Sequence, residues 1–299
     1  MDRFEEMRTF VAVVDAGSFV GAADALEMSK PAVSRYVSEL ESRLSVRLLQ
    51  RTTRKLSLTR EGEVFYARCK ELLANVDEAE AEITSHSGEA AGPLKLTVPV
   101  AFGELHLSEL WARFMARHPK VTLDVSLTDR AVDLVEEGFD AAVRITAQPS
   151  PALISRKLTS TRLVLCASPR YLKKHGKPKH PSDLMHHDVL DYTLRVMGEN
   201  WEFEGPEGRV VVKVVPRFRS NSGGTCRAGA LHHLGIILQP SFLVGEDLRS
   251  GALVEVLSQY RAGEIGVYAI YPTRKHVSPK VRMLVDFLAE AFRVKPWPE

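Results

Sequence analysis

The sequence predicts a multi-domain α+β chain: an N-terminal winged helix-turn-helix, a long linker helix and a C-terminal two-lobed α/β domain. Three observations predict it. Residues 17–59 read as two short helices, a tight turn and a basic loop, residues 61–83 carry apolar side chains at a 3.5-residue spacing, and strand-like and helix-like runs alternate from Leu94 onward. At 299 residues the chain exceeds one typical domain, so two or three units are expected.

In the first helix of the pair, Ser18 can cap the start, and Ala22, Ala23 and Leu26 form a small apolar stripe. Ser29 before Lys30-Pro31 supplies a second cap with proline in the first turn. The second helix has two faces. Val33, Val37, Leu40 and Leu44 recur every three or four residues and should pack inward, whereas Lys30, Ser34, Arg35 and Ser38 fall outside. Alanines at the crossing let the helices approach closely, which leaves the outer side free to enter a DNA major groove.

Overall charge says little, with Lys+Arg 40 against Asp+Glu 38. Locally the balance breaks. Ser42 to Arg60 holds Arg43, Arg47, Arg51, Arg54, Lys55 and Arg60 without one acid, where phosphates would lie. A basic run alone is usually only a solvated loop, and its place beside this helix pair is what favours the DNA reading.

Ala22-Ala23-Asp24-Ala25-Leu26, Pro31-Ala32-Val33-Ser34-Arg35, Leu40-Glu41 and Leu48-Leu49-Gln50-Arg51-Thr52-Thr53-Arg54 with Leu58-Thr59-Arg60-Glu61-Gly62 resemble the winged helix-turn-helix signature of LysR-type transcriptional regulators. The resemblance continues over nearly the whole chain. Ser45 departs from it where the family usually has glycine, and Leu49 where it usually has phenylalanine. What the resemblance implies is a DNA-binding regulator without enzymatic activity. Base contacts are expected from Lys30, Ala32, Ser34 and Arg35, with Pro31 setting the helix entry. Backbone contacts are expected from Ser29, Ser38, Arg51, Thr52, Thr53, Arg54 and Lys55.

From Glu61 to Ile83 the stripe is Phe65, Cys69, Leu72, Val76, Ala79 and Ile83. That is a heptad seam, too short to be stable alone, and a second copy of the helix is its simplest cover. The competing reading docks the stripe on its own domain. Pairing through it predicts a dimer that reads an inverted repeat in double-stranded DNA. Ser85 to Pro93, rich in small residues and glycine, ends the helix. The expected units are therefore 1–60 (winged helix-turn-helix), 61–87 (linker helix), 88–93 (hinge) and 94–299 (C-terminal domain).

Strands are expected at Leu94–Val100, Val121–Leu127 and Phe139–Ile145, with helices at Glu104–Arg117 and Val132–Glu137 between them. Such alternation predicts a parallel sheet with crossover helices. A second lobe begins near Leu163 and contains a helix over Ser222–Leu231 and a strand at Gly235–Leu238. The chain then returns through Ile265–Tyr271 and finishes with a helix at Pro279–Phe292, giving lobes of about 94–163 with 268–299 and about 164–267. This layout is similar to the family's effector domain, itself akin to periplasmic binding proteins. The matching stretches are Pro99 to Gly103, Gly138 to Arg144, Ala167 to Leu172 and Gly235 to Pro240.

The resemblance places a small-molecule effector between the lobes, and the residues agree on its lining. Val100, Ala101, Phe102 and Gly103 form a turn before a helix and offer N–H groups to an anion; Asn221, Ser222 and Gly223 open another helix in the same way. Arg144 at a strand end could pair with a carboxylate, so a small organic acid is the expected co-inducer. The alternative makes Arg144 a structural partner and the glycines mere turn residues. No other cofactor is expected.

Cys69, Cys166 and Cys226 are too widely spaced for a disulfide framework or zinc site. Some members of the family sense oxidants, and Cys166 with Cys226 could in principle do so, although buried single cysteines usually act as small hydrophobes. His186-His187 and His232-His233 are adjacent pairs whose rings diverge, which suits no shared metal. Neither a G-x-S-x-G elbow nor a phosphate-binding loop occurs. Without an apolar signal region or membrane-length run, a cytoplasmic protein is expected. By resemblance it is a tetramer of two dimers that contacts RNA polymerase. The competing classes are an architectural DNA binder with no ligand response, and an enzyme or transport-type binding protein with an added helical N-terminus.

Overall fold

The computed structural model describes residues 2–51, 56–84, 91–195, 198–272 and 277–298, without the side chains of 51, 71, 74, 75 and 77–84. It divides into two compact units, residues 1–88 and 89–299.

In the first unit α1 (Arg3–Asp15), α2 (Phe19–Ala25) and α3 (Lys30–Leu44) precede a two-stranded antiparallel wing, β1 (Leu49–Arg51) and β2 (Leu56–Leu58), and then α4 (Arg60–Thr84). The caps are the ones the sequence supplies. Ser18 Oγ accepts from Gly21 N at 3.0 Å and Ser29 Oγ from Ala32 N at 3.3 Å. Val33, Val37 and Leu40 are fully buried against Phe10, Val13 and Ala22. Each such side chain contributes about 1.5–3 kcal/mol. Ser45 ends α3 in the left-handed conformation, at φ 55°. A side chain there costs about 1 kcal/mol relative to glycine, so this departure from the family pattern falls where the backbone favours glycine.

The linker seam divides. Phe65 and Tyr66 meet Phe10 at ring-centroid distances of 5.8 and 6.5 Å, and Cys69 is fully buried in the same core. Its first turns therefore dock on their own domain, as the competing reading had it, whereas Leu72 is 47% exposed. Ala79 and Ile83 lie outside the described side chains.

The second unit is built on a nine-stranded sheet, with a separate hairpin of β8 (Asn200–Gly205) and β9 (Gly208–Lys213). One half holds β3 (Gly92–Val98), β4 (Val121–Leu127), β5 (Ala141–Thr146) and β13 (Glu264–Pro272); the other holds β7 (Val189–Tyr192), β10 (Pro216–Ser220), β11 (Ile236–Pro240) and β12 (Val254–Glu255). A single strand, β6 (Leu153–Ala167), runs through both. Its first part pairs with β13 as far as Arg162↔Glu264, and from Leu163 onward it pairs with β11. Fifteen extended residues span roughly 50 Å, enough to serve two lobes. The return lies beside it, with Leu163 N donating to Gly263 O at 3.0 Å.

Several expectations are corrected here. Gly92 and Pro93, assigned to a hinge, pair with Val121 and Thr122 as the first residues of β3; residues 85–90 lie outside the described residues. Val132 to Glu137 is one turn, not a helix: Asp133 Oδ1 accepts from Val135 and Glu136 N, and Gly138 at φ 69° closes it. The helix expected from Glu104 begins directly after Pro99, as α5 (Val100–Phe102), a π-type segment (Gly103–Leu107) and α6 (Ser108–Arg117). Also present are α7 (Pro169–His175), α8 (Gly223–Leu231), α9 (Ser241–Ser250) and α10 (Pro279–Ala291).

Candidate nucleic-acid interface and candidate ligand cleft

On α3 the face opposite the core presents Lys30, Pro31, Arg35 and Ser38, all exposed, with Ala32 and Ser34 half-buried. Arg35 reaches Glu39 at 3.8 Å and lies 5.6 Å from the Tyr36 ring centroid, yet stays 64% exposed. Two expected phosphate contacts already have local roles: Ser29 is the cap, and Ser38 Oγ donates to Ser34 O at 2.8 Å. The backbone of Arg51 lies in β1, whereas Thr52, Thr53, Arg54 and Lys55 lie outside the described residues.

Arg43 leaves the basic run. Its Nε and Nη2 donate to Glu6 Oε2 at 2.9 and 2.7 Å, and Glu6 is only 2% exposed. A buried carboxylate requires such a partner, so this arginine ties α3 to α1 instead of facing a phosphate.

In the second unit β3, β4 and β5 run parallel, as do β7, β10 and β11, and their carboxyl ends are where ligands of open α/β sheets bind. Asp129 follows β4 and its Oδ1 accepts from Val100 N at 3.0 Å. From the other lobe Tyr192, at the end of β7, lies within electrostatic reach of the same carboxylate. Burial raises the pKa of Asp129, against the opposing effects of Val100, Arg144 and Tyr192. Burial first, then the Asp129 charge, raises that of Tyr192.

Arg144 sits inside β5, opposite Tyr268, not at its end. Its Nη1 donates to Thr97 O at 3.1 Å and Val143 O at 2.8 Å, and its Nη2 to Thr97 Oγ1 at 2.9 Å. Those bonds use three of the five guanidinium donors and leave the Nε–Nη2 edge, which fits a carboxylate. Burial lowers its pKa, while Asp129 opposes the shift.

The Val100–Gly103 stretch differs from its expected role. The Val100 N–H is taken by Asp129, and Gly103 N donates to Pro99 O at 2.8 Å. Phe102 is fully buried, with the rings of Phe242, His106, Phe292 and Trp297 at 5.1–5.8 Å. Ala101 packs beside that core. On the facing lobe Ser222 caps α8 through Thr225 N at 3.2 Å, and Asn221 is exposed. Gly223 is buried: a Cβ there would meet Gln239 Oε1 at 3.0 Å and Leu243 at 3.1 Å. Gln239 is 3% exposed, and its Nε2 has no partner among the described residues. Sequence reasoning missed Asp129, Tyr192 and Gln239, because each is an isolated polar residue whose significance comes only from the strand end it occupies.

His106 links the lobes through Nε2 and Phe242 O, 3.0 Å apart. Burial holds its pKa below the ordinary 6.5. The unfolded chain therefore binds a proton there that the folded one resists, so this residue's contribution to stability is intact above about pH 6.5 and falls as the solution is acidified. Melting temperatures between pH 7.5 and 5.5 are expected to drop less for His106→Gln than for the wild type; equal slopes would contradict the assignment.

The cysteines are free and buried. Burial pushes the Cys226 thiol up to about 11 and Cys166 further still, so neither is a thiolate at neutral pH. His187 Nδ1 bonds Tyr171 Oη at 3.2 Å and His233 Nδ1 bonds Ser168 Oγ at 2.8 Å, which gives one histidine of each pair a structural role. Among the described residues no helix is long and apolar enough to cross a membrane.

A helix-turn-helix with an exposed basic face, followed in the chain by a two-lobed α/β unit, defines the ligand-responsive class of DNA-binding regulators. Residues 4–63 match the bacterial regulatory helix-turn-helix proteins of the lysR family and residues 87–293 match the LysR substrate binding domain. The chain belongs to the LysR family. It is 36% identical over 281 residues to an uncharacterised HTH-type regulator of Haemophilus influenzae, covering 94% of this chain and 98% of that one. It is also 36% identical over 299 residues to an HTH-type transcriptional repressor of Pseudomonas aeruginosa, with 99% and 94% covered. Among solved structures it is similar to CrgA, a LysR-type regulator of Neisseria meningitidis (34% identity, TM-score 0.62, 98% and 100% covered). Another is AphB, the Vibrio cholerae virulence activator (29%, 0.62, 97% and 99%). These relatives are regulators, not enzymes, and this chain is a LysR-type DNA-binding transcription regulator with an effector-binding domain.

Proposed function

We propose that this regulator acts in the cytoplasm and reads an inverted repeat with two copies of α3. Lys30, Ala32, Ser34 and Arg35 contact bases, and Ser29, Ser38 and the wing residues Arg51 to Lys55 contact phosphates. Leu72, exposed on the stripe whose first turns are already docked, supports pairing through α4. Two such dimers make a tetramer, and its placement on DNA sets the contact with RNA polymerase.

A small organic acid binds between the lobes and shifts the population of closed domains. The observation that carries this reading is that Tyr192, at the end of β7, and Arg144, in β5 with donors left over from its bonds to Thr97 and Val143, both act on the Asp129 carboxylate that holds Val100 N, which brings polar groups of the two lobes together. An acid seated there touches both lobes at once. Arg144, Asn221, Ser222 and Gly223 are its partners, with Gln239 added. Titration calorimetry against a panel of carboxylates tests it: Arg144→Ala is expected to abolish binding while the protein stays folded, and unchanged affinity removes the residue from the site. Footprinting of the DNA upstream of its own gene, with and without the acid found, tests the coupling.

A further inference from the structure

Three residues of the N-terminal signature spend their contacts within the protein. Glu41, Thr59 and Gly62 converge on the base of the wing. Glu41, in the last turns of α3, places Oε1 2.7 Å from Leu48 N and 3.0 Å from Leu49 N, so one carboxylate oxygen holds the first two backbone donors entering β1. Charge assistance makes such bonds strong and directional. On the exit side, Thr59 Oγ1 donates to Arg47 O at 2.8 Å and accepts from Gly62 N at 2.9 Å, while Thr59 N donates to Leu48 O at 2.9 Å. A Cβ on Gly62 would lie 2.1 Å from Leu48 O, so only glycine lets α4 come this close to the wing.

We infer that Glu41 is a positioning residue that fixes the wing in register with the recognition helix, so that base reading and phosphate contact occur in one binding event. Thr59 and Gly62 close the other side of the same clamp. Arg47 and Gln50, both exposed, flank the two clamped amides and are carried by them. This rests on the reading of α3 as the base-contacting helix and of the wing as a phosphate contact. The carboxylate acts through the backbone and touches no nucleotide itself.

The test uses the full-length protein, wild type, E41A, E41Q and T59V, with fluorescence anisotropy on the duplex that the wild type footprints and on a random duplex, from 50 to 200 mM salt. Failure of the wild type to prefer the first duplex would overturn the DNA reading, not the clamp. With that preference in place, E41A is expected to weaken both duplexes tenfold or more and to flatten the salt slope by about one to two, while the ratio between duplexes changes less than threefold. E41Q keeps an acceptor at the same atom and should recover most of the slope. An unchanged slope in E41A, or equal loss of slope and sequence preference in E41A and E41Q, overturns the proposal. If E41A does not fold, T59V carries the decision on the same slope, because it removes one hydroxyl and keeps the side-chain shape.

Discussion

Phe102→Ala is expected to destabilise the second unit by about 3–5 kcal/mol, the range for deleting a buried phenylalanine. The ring is fully buried, and four aromatic neighbours from the π-type segment, α9 and the C-terminal region surround it. Those neighbours are anchored separately: His106 by the Phe242 carbonyl, and Trp297 within the same buried core as α10. The site therefore has little freedom to collapse into the cavity, which puts the cost toward the upper end. Urea unfolding of the full-length protein, followed by tryptophan fluorescence, measures it, since Trp297 lies 5.8 Å from the Phe102 ring centroid. A loss below about 1 kcal/mol together with weakened effector binding would return Phe102 to the ligand site.

That result bears on how far the sequence can be read. The helix-turn-helix was legible because its caps and its 3.6-residue periodicity are local: Ser18, Ser29, Val33, Val37 and Leu40 act within one or two turns. The cleft was legible only in outline. Glycine and serine at 221–223 announced a helix start, and Ser222 is its cap, but the same logic at Val100 failed because Asp129, 29 residues away, takes that N–H. β6 was underestimated for a related reason. Its outer half, Leu153 to Arg162, alternates polar and apolar residues weakly, and its pairing with β13 spans about a hundred residues of chain. Helix α9 escaped notice because Ser241 to Gly245 is buried nearly throughout, which leaves no amphipathic contrast to detect. The linker seam shows the opposite limit. Its heptad spacing is real, yet the sequence does not say that Phe65 and Cys69 face α1 while Leu72 does not.

Arg35→Ala is expected to cost about 1–3 kcal/mol of discrimination between the operator and a random duplex, the worth of one good bidentate base contact. The residue lies one turn past Pro31 on the outer face of α3, and its guanidinium is tethered only weakly, to Glu39 at 3.8 Å and over Tyr36. It can leave that position for a base edge without breaking a buried bond. Arg43, eight residues on, cannot: its bonds to Glu6 are 2.7 and 2.9 Å long, and breaking them strands a carboxylate that is 2% exposed. Two arginines on one helix thus separate into one whose side chain is exposed and weakly held and one that braces α3 against α1. Arg54→Ala, in the wing, should weaken both duplexes alike and lower the salt slope by about one. Anisotropy titrations of the two variants on both duplexes distinguish the roles, and matching profiles would mean that Arg35 touches phosphate rather than a base.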